Sequence, residues 1–231
     1  MNYYTTSILT YIWIWNNRDI VFKLVIPNLI LITLATLLVQ IFPSYSGLLI
    51  PVYVFGLWLF SSTMVQLHRF ILLNLNKETI KFVSTPTKQD FNYVGLWILL
   101  SIFDRLGEQI TTSILETTYP LMFQLFLIAV LLSLSYYILT RAYMIFPAIS
   151  IGKSLHDGWA LTSRSENIRL VFLTTLILLI PLIIFLMFFI WMSVNFLPEE
   201  FFILFYLFLF VLSLLIINTH YSLLFRSLTN N

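Results

Sequence analysis

The sequence contains no cysteine. That absence excludes a disulfide framework, a thiolate nucleophile and a thiolate metal site. Charge is scarce as well: 10% of the 231 residues are Asp, Glu, Lys or Arg, and the net charge is +2. Cations so few and scattered leave no footprint for nucleic acid, and no nucleic-acid partner is expected. Enzyme motifs are missing too. There is no His-Glu-x-x-His zinc motif, no Gly-x-Ser-x-Gly elbow, no P-loop and no dinucleotide glycine fingerprint. Asp157-Gly158 with Ala160 shares the opening of the lipid CDP-alcohol transferase motif, but the arginine and aspartates that complete it are absent. The expectation is a non-enzymatic protein with no cofactor and no metal. Residues 1–15 also lack a basic n-region and a small-residue cleavage site, so they are expected to be kept rather than removed as a signal peptide.

What the sequence has in abundance is apolar surface, at 60% of residues. A membrane-spanning helix needs roughly 20 apolar residues, and charge-free intervals run from Leu24 to Leu67, Thr117 to Thr140, Leu170 to Pro198 and Phe201 to Phe225. These unbroken Leu/Ile/Phe runs are about twice as long as the alternating segments of a transmembrane barrel. The predicted fold class is therefore all-α: a polytopic membrane protein of about six transmembrane helices, over 19–42, 48–70, 91–115, 120–146, 167–195 and 201–226. Breakers agree, with turns at residues 42–47, 117–120 and 197–200. Eleven of the twelve Lys and Arg residues fall on one side of a six-helix arrangement, whereas the opposite loops carry Glu116, Glu199 and Glu200. Short basic loops stay cytoplasmic, which predicts both termini inside; the expected location is a bacterial inner (plasma) membrane.

The whole of 1–231 reads as one membrane domain. Residues 3–16 form an aromatic-rich helix at the interface, with Tyr4, Ile8, Tyr11, Ile12 and Trp15 on one face. Three capping patterns follow, Asn16 to Asp19, Thr87 to Asp90 and Ser163 to Glu166, spaced by 71 and 76 residues. Each opens a helix pair that exits through a basic or imidazole residue, at His68-Arg69, Arg141 and His220. The pattern predicts three tandem hairpins, 16–73, 87–146 and 163–226.

The most unusual feature is Asp104-Arg105 with Glu108 inside the third span, because each such residue costs about 2.5 to 3.5 kcal/mol at mid-membrane. These three form a candidate intramembrane polar cluster expected to turn away from lipid. Ser101, Asp104, Glu108 and Thr111 or Thr112 make one helical stripe, and Arg105 can reach Glu108 at i+3. The cluster is a proton, cation or headgroup site, or a salt-bridged packing device, or the mark of a third helix that ends early and becomes amphipathic. Ser133, Ser135, Tyr136 and Tyr137 lie at a depth suited to hydrogen-bonding it. Trp13, Trp15, His68, Arg69, Arg141 and His220 read as interfacial anchors near helix ends, with Asn218 and Thr219 as interhelical hydrogen-bonding groups. Two histidines without a carboxylate at ligand spacing make no metal site.

Between the fourth and fifth spans lies an amphipathic elbow in which Ile151, Leu155 and Trp159 recur every four residues. Trp159, Arg164 and Arg169 are its candidate partner or headgroup surface. Phe146-Pro147-Ala148, Gly152-Lys153-Ser154, Gly158-Trp159-Ala160-Leu161-Thr162 and Asn167-Ile168-Arg169-Leu170 resemble a segment of the membrane domain fused to some glycerophosphodiester phosphodiesterases, and of related stand-alone bacterial six-helix proteins. Gly158 departs from the pattern, which has a small hydroxyl residue before the tryptophan, and 163–166 differ as well. The resemblance implies a membrane module of unknown activity, the hydrolase of the fused proteins being a separate soluble barrel for which 231 residues leave no room. The leading expectation is thus an accessory or assembly subunit or a lipid-handling scaffold, whose partners are the bilayer and other membrane subunits or a second copy. The alternative is a small transporter or channel subunit using Asp104, Arg105 and Glu108.

Overall fold

The computed structural model describes residues 3–41, 46–75, 86–196 and 199–229, and they hold nine α-helices and no strand. The predicted turns at 42–47 and 197–200 lie largely outside the described residues. In chain order the helices are α1 (Tyr3–Asn16), α2 (Arg18–Ile41), α3 (Ser46–Leu73), α4 (Lys88–Leu115), α5 (Leu121–Tyr143), α6 (Ile145–Ser150), α7 (Leu155–Leu161), α8 (Ser165–Phe196) and α9 (Glu199–Thr229). Three described stretches, Leu121–Ser150, Ser165–Met192 and Phe208–Thr229, are both long and apolar enough to cross a membrane.

Local chemistry sets several boundaries. Thr87 caps α4 by accepting from the Asp90 backbone, while the Asp90 carboxylate accepts from the Thr87 backbone at 2.7 Å, so two orphan amides are satisfied reciprocally. Pro120 sits at the N-cap of α5, where its missing N–H costs nothing. Neither Asn16 nor Ser163 makes a side-chain cap among the described contacts. At the first of these boundaries Asn17 donates instead to the Trp13 carbonyl at 2.8 Å, and its own carbonyl accepts from Ile20 and Val21.

Buried side chains gather where α3, α5 and α9 finish and α2, α4 and α8 begin. Ile20 and Leu24 of α2 meet Met64, Leu67 and Ile71 of α3, Tyr93 and Leu96 of α4, Phe146 and Ile149 of α6, and Leu215 of α9. All six residues of α6 are buried. Polar groups are buried at the same end, with Thr63, His68, Thr174, Thr175, Asn218, Thr219, His220 and Ser222 inside, while away from it Met122, Phe126, Ile184 and Met187 are exposed. Helix α1 shows the same contrast within four turns. Thr6, Ser7 and Thr10 are buried against α8 and α9, and Ile8, Leu9, Ile12 and Trp15 face out. In water such a surface would be a large apolar liability; in lipid it is the low-energy arrangement.

Candidate functional site: the elbow and the polar groups beneath it

The elbow is assembled from α6, α7 and the residues that clamp them. After α6 the chain turns through Gly152, whose positive φ of 81° suits glycine. Ser154 then caps α7, accepting from the Asp157 backbone at 3.2 Å. The Asp157 carboxylate accepts from both the amide and the hydroxyl of Ser154 at 2.8 Å, and this pair of bonds, the hydroxyl's foremost, holds that carboxyl below its ordinary pKa. Gly158 lets α7 lie directly on the start of α6: a Cβ there would stand 2.6 Å from the Ile145 Cα and 2.7 Å from the Met144 carbonyl oxygen. That contact gives a physical reason for glycine at the very position where the sequence departs from the small-hydroxyl pattern.

Arg141 fastens the far side. Its Nε donates to the Thr162 hydroxyl at 3.1 Å, one terminal nitrogen donates to the Trp159 carbonyl at 3.4 Å, and the other to Tyr137 at 3.3 Å. Its guanidinium carbon stands 4.2 Å over the Trp159 ring, a cation–π geometry. Arg69 and Arg226 act on helix ends: Arg69 donates to the Ser150 carbonyl of α6 at 2.7 Å, and Arg226 to the Ile71 carbonyl of α3 at 3.3 Å. Positive groups on terminal carbonyls satisfy orphan acceptors and oppose the helix dipole. The basic exits expected as anchors are thus turned onto protein. Arg164 and Arg169 remain exposed or half-exposed at the start of α8, as does Lys153, whose ammonium lies 5.6 Å from the Phe225 ring.

Beneath the elbow is a buried polar network. His68 of α3, expected at an interface, is buried. Its Nδ1 lies 2.5 Å from the Ser222 hydroxyl and its Nε2 3.2 Å from the Tyr93 hydroxyl; Tyr93 in turn donates to Asn218 Oδ1 at 2.7 Å. Ser222 gives its single proton to the Asn218 carbonyl at 2.9 Å, so His68 Nδ1 carries a proton and donates to Ser222. With neutral His68 three protons serve four contacts, and Tyr93 spends its own on the shorter one, to Asn218. His220, also buried, lies 3.0 Å from the Thr10 hydroxyl through Nδ1, joining α9 to α1. Both imidazoles point inward because the bundle's polar groups need protein partners when its exterior is apolar.

Comparison with protein-family models, with curated proteins and with solved structures finds no match.

The charged stripe on α4 stands elsewhere. Arg105 donates to Glu108 at 2.7 Å, but the two side chains are 78% and 64% exposed, and Ser101, Asp104 and Thr112 are exposed or half-exposed too. The expected inward orientation is therefore not adopted: the Arg105 and Glu108 side chains stand free, although Leu57 of α3 lies across an open cavity from Ser101 and Arg105. Tyr136 donates to the Phe172 carbonyl of α8, and Ser133 to Ala129 within its own helix, so neither reaches the stripe. At the N-terminus Trp13 packs edge-on against Phe70 at 5.9 Å, whereas Trp15 is exposed with Arg18 above it at 5.3 Å. Among the described residues no three His, Asp or Glu side chains are grouped to hold a metal. Sequence reasoning missed Tyr93 and the Ser154–Asp157 cap. A Ser-x-x-Asp signal marks the second, but nothing local marks the first.

Proposed function

We propose that this chain is a non-enzymatic integral membrane module: a six-span scaffold of three tandem hairpins, with both termini cytoplasmic, that holds the α6–α7 elbow at the inner headgroup level as an accessory, lipid-handling surface. The observation that carries the reading is the apolar exterior, with large hydrophobic side chains such as Met122, Phe126, Ile184 and Met187 exposed while serine, threonine, histidine and asparagine side chains are buried beside the apolar core. The segregation of basic residues supports the orientation, with a bacterial plasma membrane as the setting. The elbow's resemblance to the phosphodiesterase-associated membrane domain supports a module without its own chemistry. In this frame α4, at 28 residues, is about 42 Å long against a hydrocarbon core of roughly 30 Å. With Lys88 level with the inner edge of the core, Asp104 to Glu108 stand about 24 to 30 Å along it, in roughly its outermost 6 Å, from which their side chains can reach the outer headgroups.

Reporters fused after Lys81, Lys153 and Asn231 are expected to read cytoplasmic, and those at Tyr45, Thr118 and Glu199 external. An external signal at Lys153 would overturn the orientation. A transporter or channel subunit is the second reading, favoured by Asp104, which makes no ion pair among the described residues beside the Arg105–Glu108 pair. Against it, the stripe lies on the outside of the bundle rather than along an interior path. Ion or proton flux in proteoliposomes that disappears in Asp104→Asn/Glu108→Gln would favour it.

A further inference from the structure

We propose that the cavity between α7, the start of α8 and the end of α9 binds the phosphate of an anionic phospholipid headgroup. This open cavity, of about 550 Å³, has Lys153, Arg164, Asn167 and Thr229 around it and Phe225 and Leu228 on its apolar side. The inference rests on the proposed placement of the elbow at the inner headgroup level and names the ligand that placement would serve.

The electrostatics favour an anion. Among the described residues Lys153 and Arg164 have no carboxylate within ion-pair distance; the salt bridge present there, Arg105–Glu108, is far along α4. Asp157 also lines the cavity, but its carboxylate is committed to the amide and hydroxyl of Ser154. Two cations against one acid engaged in helix capping leave a net positive wall. Arginine and lysine together suit a phosphate diester: the guanidinium supplies a planar fork and the ammonium a point charge.

The wall is also built rather than incidental. The Lys153 amide donates to the Ala148 carbonyl at 3.0 Å, fixing the turn that presents its side chain. Asn167 donates to the Leu161 carbonyl at 2.7 Å, tying α8 to the end of α7 on either side of Arg164. Half-buried Leu228 offers apolar surface beside the charges, and the buried Phe225 ring lies 5.6 Å from the Lys153 ammonium; a lipid's glycerol and first methylenes can use that surface and a free phosphate cannot.

The test uses the full-length protein in detergent, with native mass spectrometry reading the retained lipid. Phosphatidylglycerol is expected to stay bound one to one, phosphatidylcholine is not, and Lys153→Gln/Arg164→Gln should lower phosphatidylglycerol retention at least about tenfold. Both substituted residues are exposed, so unchanged melting of the double variant checks folding. Lys23→Gln, an exposed cation on α2, should leave retention unchanged. Equal retention of the two lipids, retention untouched in the double variant, or an equal loss in Lys23→Gln would overturn the site. Displacement of the lipid by soluble glycerol 3-phosphate at matched concentration would overturn the lipid assignment in favour of a soluble phosphate ester. The proposed placement at the inner headgroup level fails separately, through an external reporter at Lys153.

Discussion

The two halves of α4 obey different rules. Up to Leu100 the helix turns Asp90, Tyr93, Leu96 and Leu100 into the bundle; beyond it, none of its residues is buried. The first half is specified by partners, through the capping box, the contacts of Tyr93 with Asn218 and His68, and the ring of Phe146 at 4.4 Å from that of Tyr93. The second half is specified by its own sequence, with hydroxyls bonded to carbonyls four residues back and one exposed ion pair. Order in this bundle is thus built from the elbow end, where the helices converge on α6, and the far end contributes length and surface rather than specificity.

The sharpest way to break this contrast is at Gly158. Even the methyl of Gly158→Ala would collide with the α6 backbone at 2.6 Å, and backbone cannot swing aside as a side chain does. Overpacking of this kind costs about 3 kcal/mol, so the variant should show the largest fall in melting temperature and a poor yield. Wild-type melting would mean that α7 does not rest on α6 and that the elbow end is not the organising centre. A smaller effect is expected from Tyr93→Phe, which keeps the ring packing but leaves buried Asn218 Oδ1 without its donor. Losses near 1 to 2 kcal/mol follow from an unpaired buried acceptor, and an unmoved melting curve would show that packing alone orders the first half of α4.

Arg141→Lys probes the clamp more gently. Lysine keeps the charge but loses the planar stack on Trp159 and the directed Nε donor, worth about 1 kcal/mol. The expected readout is local: faster trypsin cleavage after Lys153 and Arg164, with little change in melting. Unchanged cleavage would place the elbow's rigidity in the Ser154 cap and the Gly158 contact alone.

How much of the molecule is legible in its sequence follows the same division. The capping box at Thr87, the break at Thr117 to Pro120 and the helix over 3–16 depend on residues within a few positions of one another, and all three are present. The depth of His68 depends on Ser222, 154 residues away, and that of His220 on Thr10, 210 residues away. A histidine beside an arginine at a helix end carries no local sign of which of the two turns inward. Helix α1 shows the converse trap: its apolar face is conspicuous, yet the face that binds protein is the quieter one of Thr6, Ser7 and Thr10. In sequence the stripe on α4 reads as buried because charge in a long apolar run is costly. Such a cost fixes where charges cannot go, and a helix longer than the hydrocarbon core offers them another place.

The stripe yields the smallest expected effect and the one that most sharpens the comparison. If Asp104, Arg105 and Glu108 were buried among helices, Arg105→Leu alone would strand uncompensated carboxylates at a cost of about 3 to 5 kcal/mol, and the triple replacement by leucine would be far milder. With the Arg105 and Glu108 side chains 78% and 64% exposed, the pair is a surface salt bridge of about 0 to 1 kcal/mol, further weakened by side-chain entropy and salt. Arg105→Leu and Asp104→Leu/Arg105→Leu/Glu108→Leu should therefore melt within about 1 kcal/mol of each other and of the wild type in detergent. The measurement separates an isolated chain from a covered one. A single variant much weaker than the triple, seen in native membranes but not after purification, would mean that another subunit buries the stripe there, making the second half of α4 an interface whose order comes from its partner.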